Sequence, residues 1–272
     1  MKQPIGVFDS GVGGLTVFRE IRKKFPHESI VYFGDTARVP YGPKSCNTVI
    51  DYSIQNARFL LQERVKLIVV ACNTASSVAL PELRKLFPVA VIGVIEPGAY
   101  EAVKSTRNSR IGVIGTDGTI RSGAYRKAIH KLQPAAMVIE KSTPLLVPLA
   151  EEGWTDNSVT RQIVAEYLEP MLKEGIDTLV LGCTHYPILA EAIAEVAGDK
   201  VTLIDSAQAI ANQLEDILPF PESGGNAYDR FFVSDNEEKF RDITSRIIGS
   251  EVELLKKVNL GESWFVDWRS HE

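Results

Sequence analysis

Two stretches of this chain run through apolar residues and stop on a cysteine: residues 65–77, VKLIVVACNTASS, and residues 176–187, IDTLVLGCTHYP. A short apolar run bounded by turn-forming residues reads as a strand buried on both faces of a parallel sheet. Ligand-binding groups in such sheets lie just beyond the carboxyl ends of the strands, where Cys72 and Cys183 both fall. A thiol with a free pKa of about 8.5 reaches either protonation state near neutrality with modest tuning. Two thiols approaching one small molecule from opposite sides suit inversion of a stereocentre: one removes a proton, the other delivers one to the opposite face. Each needs a neighbour to manage its proton, and Asp9 beside Cys72 and His185 beside Cys183 are the candidates. Because an amino-acid α-proton is far less acidic than a thiol, the site must also supply desolvation and pre-set hydrogen bonds. Ser10, Asn73, Thr74, Thr116, Thr119 and Thr184 are the donors at the right strand ends, able to hold carboxylates and an ammonium group. Against this stands the plainer reading of a buried cysteine as inert core. A metal site from Cys72, Cys183 and His185, or a redox pair, is disfavoured because the chain has no CxxC and no HxxxH spacing. Cys46 has no counterpart and reads as structural, and His27 and His130 read as surface helical residues.

Residues 5–8 predict a first strand, and the turn Asp9-Ser10-Gly11-Val12-Gly13-Gly14 leads into a helix from Leu15, a place where backbone N–H groups can meet a small anion. Residues 29–34 predict a second strand, followed by a fixed loop through Pro40, Tyr41, Gly42 and Pro43. A helix of about 17 residues from Thr48, the Cys72 strand, a helical stretch through Leu86 and a strand over 89–95 closed by Glu96-Pro97-Gly98 complete a first unit. The pattern then restarts. Residues 111–116 echo 5–10, residues 137–139 echo 31–33 ahead of a proline-containing loop at 142–148, Cys183 echoes Cys72, and 201–205 echoes 90–96. Four elements recurring in order at a nearly constant offset predict an α/β protein of two similar lobes, each a mostly parallel sheet flanked by helices, related by a pseudo-two-fold axis with the site between them. After Asp205 the pattern gives a helix through Leu218, a proline-containing loop, a strand at 230–233 and a helix from Asn236 capped by Asp235. These pieces are expected to return to the first lobe, dividing the chain into 1–97 plus 208–272 and 98–207.

The totals bound the partners. With 272 residues, 44% hydrophobic and 24% charged, the composition is that of a folded globular protein. A net charge of −5 argues against a nucleic-acid partner. No apolar run is long enough to span a membrane, and the N-terminus enters a strand too soon for a signal peptide. Three widely spaced cysteines make no disulfide framework, so the expectation is a cytoplasmic protein with reduced thiols.

The segments DSGVGGLTV (9–17), DTARVPYG (35–42), ACNTAS (71–76), GVIGTDGT (112–119) and GCTHYP (182–187) together resemble the bacterial glutamate racemases over nearly the whole chain. The resemblance implies a two-base racemase with no cofactor and no metal, supplying D-glutamate for peptidoglycan. It implies that Cys72 and Cys183 exchange protons with the α-carbon, the first as base toward D-glutamate and the second toward L-glutamate. Substrate contacts are implied at Asp9, Ser10, Tyr41, Gly42, Asn73, Thr74, Thr184 and His185. Glu151 resembles a carboxylate near the second cysteine, and Thr143 stands where members often have cysteine or alanine. A homodimer is implied. The alternatives are a racemase of aspartate or another amino acid, and a glutamate-sensing or gyrase-binding protein.

Overall fold

The computed structural model describes residues 3–218, 227–250 and 252–260, and strand follows helix through nearly all of them. The first lobe holds β1 (Ile5–Asp9), α1 (Leu15–Lys24), β2 (Ile30–Gly34), α2 (Cys46–Gln62), β3 (Leu67–Val70), α3 (Asn73–Leu86) and β4 (Ala90–Gly93). Helix α4 (Ile95–Ser105) leads to the second lobe, with β5 (Arg110–Gly115), α5 (Asp117–Ser122), α6 (Ala124–Leu132), β6 (Met137–Ser142), α7 (Leu146–Glu151), α8 (Ser158–Lys173), β7 (Thr178–Gly182), α9 (Ala190–Ala197) and β8 (Thr202–Asp205). Helix α10 (Ser206–Ile217) leads back, and β9 (Asp229–Val233), α11 (Glu237–Ile248) and β10 (Leu255–Lys257) follow.

All pairings in both sheets are parallel. The first sheet is ordered β10-β9-β2-β1-β3-β4 and the second β6-β5-β7-β8. Removing β9 and β10 leaves the same order twice, so β3 and β7, which carry the cysteines, are equivalent strands. The central strands β1, β2, β3 and β7 are buried at every position because helices cover both faces, whereas β6, β8 and β10 carry polar, partly exposed residues. Ile5, Val7, Ile30, Tyr32, Leu67 and Val69 join one core cluster, whereas Phe8, Val31, Phe33, Ile68 and Val70 join another on the opposite face. That is the two-residue alternation of a strand sandwiched between helix layers. Ile95, Ala99 and Ala102 of α4 pack into a second-lobe cluster, and Ala207, Ile210 and Leu214 of α10 into a first-lobe one.

Several local expectations are corrected. Helix α2 starts at Cys46 rather than Thr48, because Ser45 caps it by accepting from the Thr48 amide; Cys46 is an exposed first-turn residue. Glu96-Pro97-Gly98 closes no strand and forms the first turn of α4, where an acidic residue and a proline are both favourable. Pro148 lies inside α7, so the loop expected at 142–148 shrinks to the residues between Ser142 and Leu146. His27 lies in an exposed turn, and His130, on α6, is half-buried against the Ala136 carbonyl. Asn236, not Asp235, caps α11: its φ of 52° is one asparagine tolerates, and its side chain accepts from the Lys239 amide. The proline-containing loop expected before β9 lies outside the described residues for most of its length.

Candidate active site

Cys72 sits where β3 gives way to α3. It is the N-cap residue of that helix, with extended backbone (φ −60°, ψ 117°), and its S–H points to Ser10 Oγ at 3.7 Å. Burial pushes the thiol up to about 12, with the Asp9 carboxylate adding to the effect, while the Ala75 amide and Ser10 work the other way. Burial thus favours the neutral thiol at Cys72.

Cys183 follows β7. His185 Nδ1 lies 3.8 Å from its sulfur, and His185 Nε2 lies 3.2 Å from Glu151 Oε1 at the end of α7. Burial acts to lower the imidazole, but the Cys183 sulfur and Glu151 outweigh it and raise His185 to about 10. Glu151 is held below the usual carboxylate range, first by its hydrogen bond to His185. Lys239 Nζ of α11 stands 3.7 Å from the other Glu151 oxygen. This flank is a sulfur–imidazole–carboxylate chain that favours the charged imidazole.

Both cysteines, only 5% and 6% exposed, line one cavity of about 30 Å³ together with Ser10, Tyr41, Gly42, Asn73, Thr74, Thr116, Thr184 and His185. The sulfurs reach it from different sheets. Three expected residues lie behind the wall. Asp9 is fully buried; its carboxylate accepts from the Gly11 amide at 2.9 Å and from Thr184 Oγ1 at 3.3 Å, and burial raises its pKa. Thr119 is buried beside Thr74 and Thr116, and Glu151 acts through His185. Tyr41 is on the wall, but its hydroxyl is turned away, donating to Asp35 and accepting from Asn56 Nδ2 at 3.0 Å. Thr143 is fully buried, its hydroxyl 2.7 Å from that of Tyr186.

Val39, Pro40 and Val147 also line the cavity and were not anticipated. The first two stand inside the DTARVPYG segment beside Tyr41, so their position was the available signal. Val147 lies in the stretch expected to be a proline-containing loop, where nothing marked it. Lys239, on a charged helix in the tail, offered no signal.

The lobes close directly on one another. A Cβ on Gly13 would fall 2.4 Å from Thr184 Oγ1 and 2.5 Å from His185 Nδ1, and one on Gly42 would fall 2.8 Å from the Thr116 Cβ. Thr74 and Thr116 hydroxyls meet across the same gap at 2.8 Å. About 30 Å³ admits roughly one water, against the several hundred of an ordinary ligand pocket. A substrate can be seated only if this space widens.

A family model described as Asp/Glu/Hydantoin racemase matches residues 6–214. A glutamate racemase of Geobacter metallireducens is 50% identical over 263 residues, covering 94% of this chain and 96% of its own. The crystal structure of a glutamate racemase isoform from Bacillus anthracis superposes with a TM-score of 0.91 at 42% identity, covering 95% of this chain and 98% of that one. That of a Francisella tularensis glutamate racemase in complex with D-glutamate gives 0.89 at 37% identity, with the same coverages.

Proposed function

Because this chain belongs to the Asp/Glu/Hydantoin racemase family, we propose that it interconverts L- and D-glutamate by proton transfer at the α-carbon, without a cofactor, and supplies D-glutamate for peptidoglycan in the cytoplasm. The observation that carries this reading is the pair of cysteines at the ends of the equivalent strands β3 and β7, lining one small cavity. In the L-to-D direction Cys183 takes the α-proton, its own proton having passed to His185, which Glu151 holds. Cys72, resting as a thiol, delivers its proton to the other face. The reverse direction exchanges the roles. Hydroxyl and amide groups of Ser10, Asn73, Thr74, Thr116 and Thr184 hold the carboxylates and the ammonium, and lobe closure excludes water so that these dipoles act at full strength. The moving units in this reading are residues 1–97 with 208–272 and residues 98–207, and the assembly is a homodimer.

The test is incubation of the protein with L-glutamate in deuterated water, with no cofactor added. Exchange at the α-carbon together with loss of optical rotation supports the racemase. Cys72→Ser and Cys183→Ser should each lower turnover at least 1,000-fold, as loss of a group that acts directly on the reacting atom does, while circular dichroism stays native. Near-normal turnover in either variant would end the two-thiol assignment.

A further inference from the structure

Asn73 is 2% exposed and lines the cavity, yet its Oδ1 is buried with no hydrogen-bond partner among the described residues. Its Nδ2 is fully engaged. It donates to the hydroxyl of Tyr125 at 2.8 Å and to Ser206 Oγ at 3.4 Å. Ser206 in turn donates to the Leu181 carbonyl at 3.2 Å, so its proton is committed and its oxygen can only accept from Asn73. A carbonyl at the end of this chain of groups fixes its polarity, and the amide is held with nitrogen outward and oxygen free. A buried acceptor left unmatched has lost its water partners with nothing in return. It is tolerated where a ligand supplies the donor.

Tyr125 belongs to the second lobe, and Ser206 stands at the crossing between the lobes. Tyr125 lies on α6, with its ring against the positions where Gly98 and Gly182 lack a side chain: a Cβ there would fall 3.2 and 3.1 Å from ring atoms. Ser206 opens α10, the crossing back to the first lobe. Asn73 opens α3. The stronger hold on the amide, from Tyr125, therefore reaches across from the second lobe.

We propose that Tyr125 and Ser206 are positioning residues that lock the Asn73 carboxamide, upon closure, with its oxygen presented to the ammonium group of the substrate. This rests on the racemase reading above. Either enantiomer keeps its ammonium through the reaction, so the contact strengthens binding in both directions alike.

The experiment measures racemisation of both enantiomers by Tyr125→Phe, which keeps the ring and removes the hydroxyl, with glutarate as a competitive inhibitor. Glutarate carries both carboxylates and lacks the ammonium. The expected result is a KM for L- and D-glutamate raised about tenfold, kcat within about threefold of the parent, and an unchanged glutarate inhibition constant. Combined with Asn73→Ala, Tyr125→Phe should add almost nothing to the effect of Asn73→Ala alone. An unchanged KM, an equal weakening of glutarate, or additive effects would overturn the proposal. If Tyr125→Phe does not fold, Ser206→Ala carries the same comparison and the same outcomes. Failure of the racemase reading itself looks different, since the parent protein would then show no α-exchange.

Discussion

Among the individual side chains, the flanks of the two cysteines differ in how a proton is held. His185 is raised from 6.5 to about 10. A group whose folded pKa is raised stabilises the fold fully below its unfolded value, and that contribution is lost as pH rises through the folded value. The melting temperature should therefore fall between pH 6.5 and about 10 more steeply in the parent protein than in His185→Asn, by thermal denaturation across that window. Parallel curves would show that the imidazole does not carry the charge assigned to it. Tyr41 is separable from the chemistry. Its hydroxyl serves the buried Asp35, which Arg38 and Ser234 also hold, so Tyr41→Phe should destabilise the protein by about 1–3 kcal/mol in urea titrations while kcat falls less than about fivefold. A large loss of kcat with no loss of stability would put the phenol in the cavity instead. The two sulfurs and His185 were legible in the sequence because chemistry-bearing residues stood directly after short buried runs. Tyr125 was not, because its contact with Asn73 spans 52 positions and no local pattern marks it.

The elements that hold these groups were legible wherever a run was buried on both faces, and blurred wherever one local signal competed with another. Proline read as a loop marker at residues 142–148, yet Pro148 is accommodated inside α7. The start of α4 was obscured because Glu96 and Pro97 suit a helix's first turn as well as a strand's end. Cap chemistry decided the rest, with Asn236 taking the position that Asp235 was expected to hold. Between elements, the close approach at Gly13 sets how the β1–α1 turn meets Thr184 and His185. Gly13→Ala should displace that contact and lower kcat/KM by about 100-fold, since a misplacement near 1 Å costs that much. Each lobe's core is untouched by the change, so the melting temperature should move by only a few degrees. Activity close to the parent's would mean that the lobes close with room to spare.

The molecule as a whole is two sheets that share a four-strand order and meet over a gap too small for any amino acid. Entry therefore requires an open state, and ligand binding in the closed one must shift the population toward it. Small-angle scattering should show a smaller radius of gyration with saturating D-glutamate than without. Identical profiles would mean that the closed form predominates before ligand arrives and opens only rarely. The comparison of halves was readable in the chain as a recurrence of four elements, but β9 and β10 extend only the first sheet and have no second-lobe equivalent. That tail also brings Lys239 to Glu151, so the copies are unequal at the site.

This inequality has a thermodynamic bound. One thiol is flanked by a buried carboxylate behind the wall, the other by an imidazole and a salt-bridged carboxylate. Mirror-image substrate and product have equal free energies in water, so the Haldane relation fixes the ratio of forward to reverse kcat/KM at unity. A lopsided apparatus can make the enzyme turn over one enantiomer faster only with a correspondingly higher KM for it, and no substitution in either flank can make the reaction run one way.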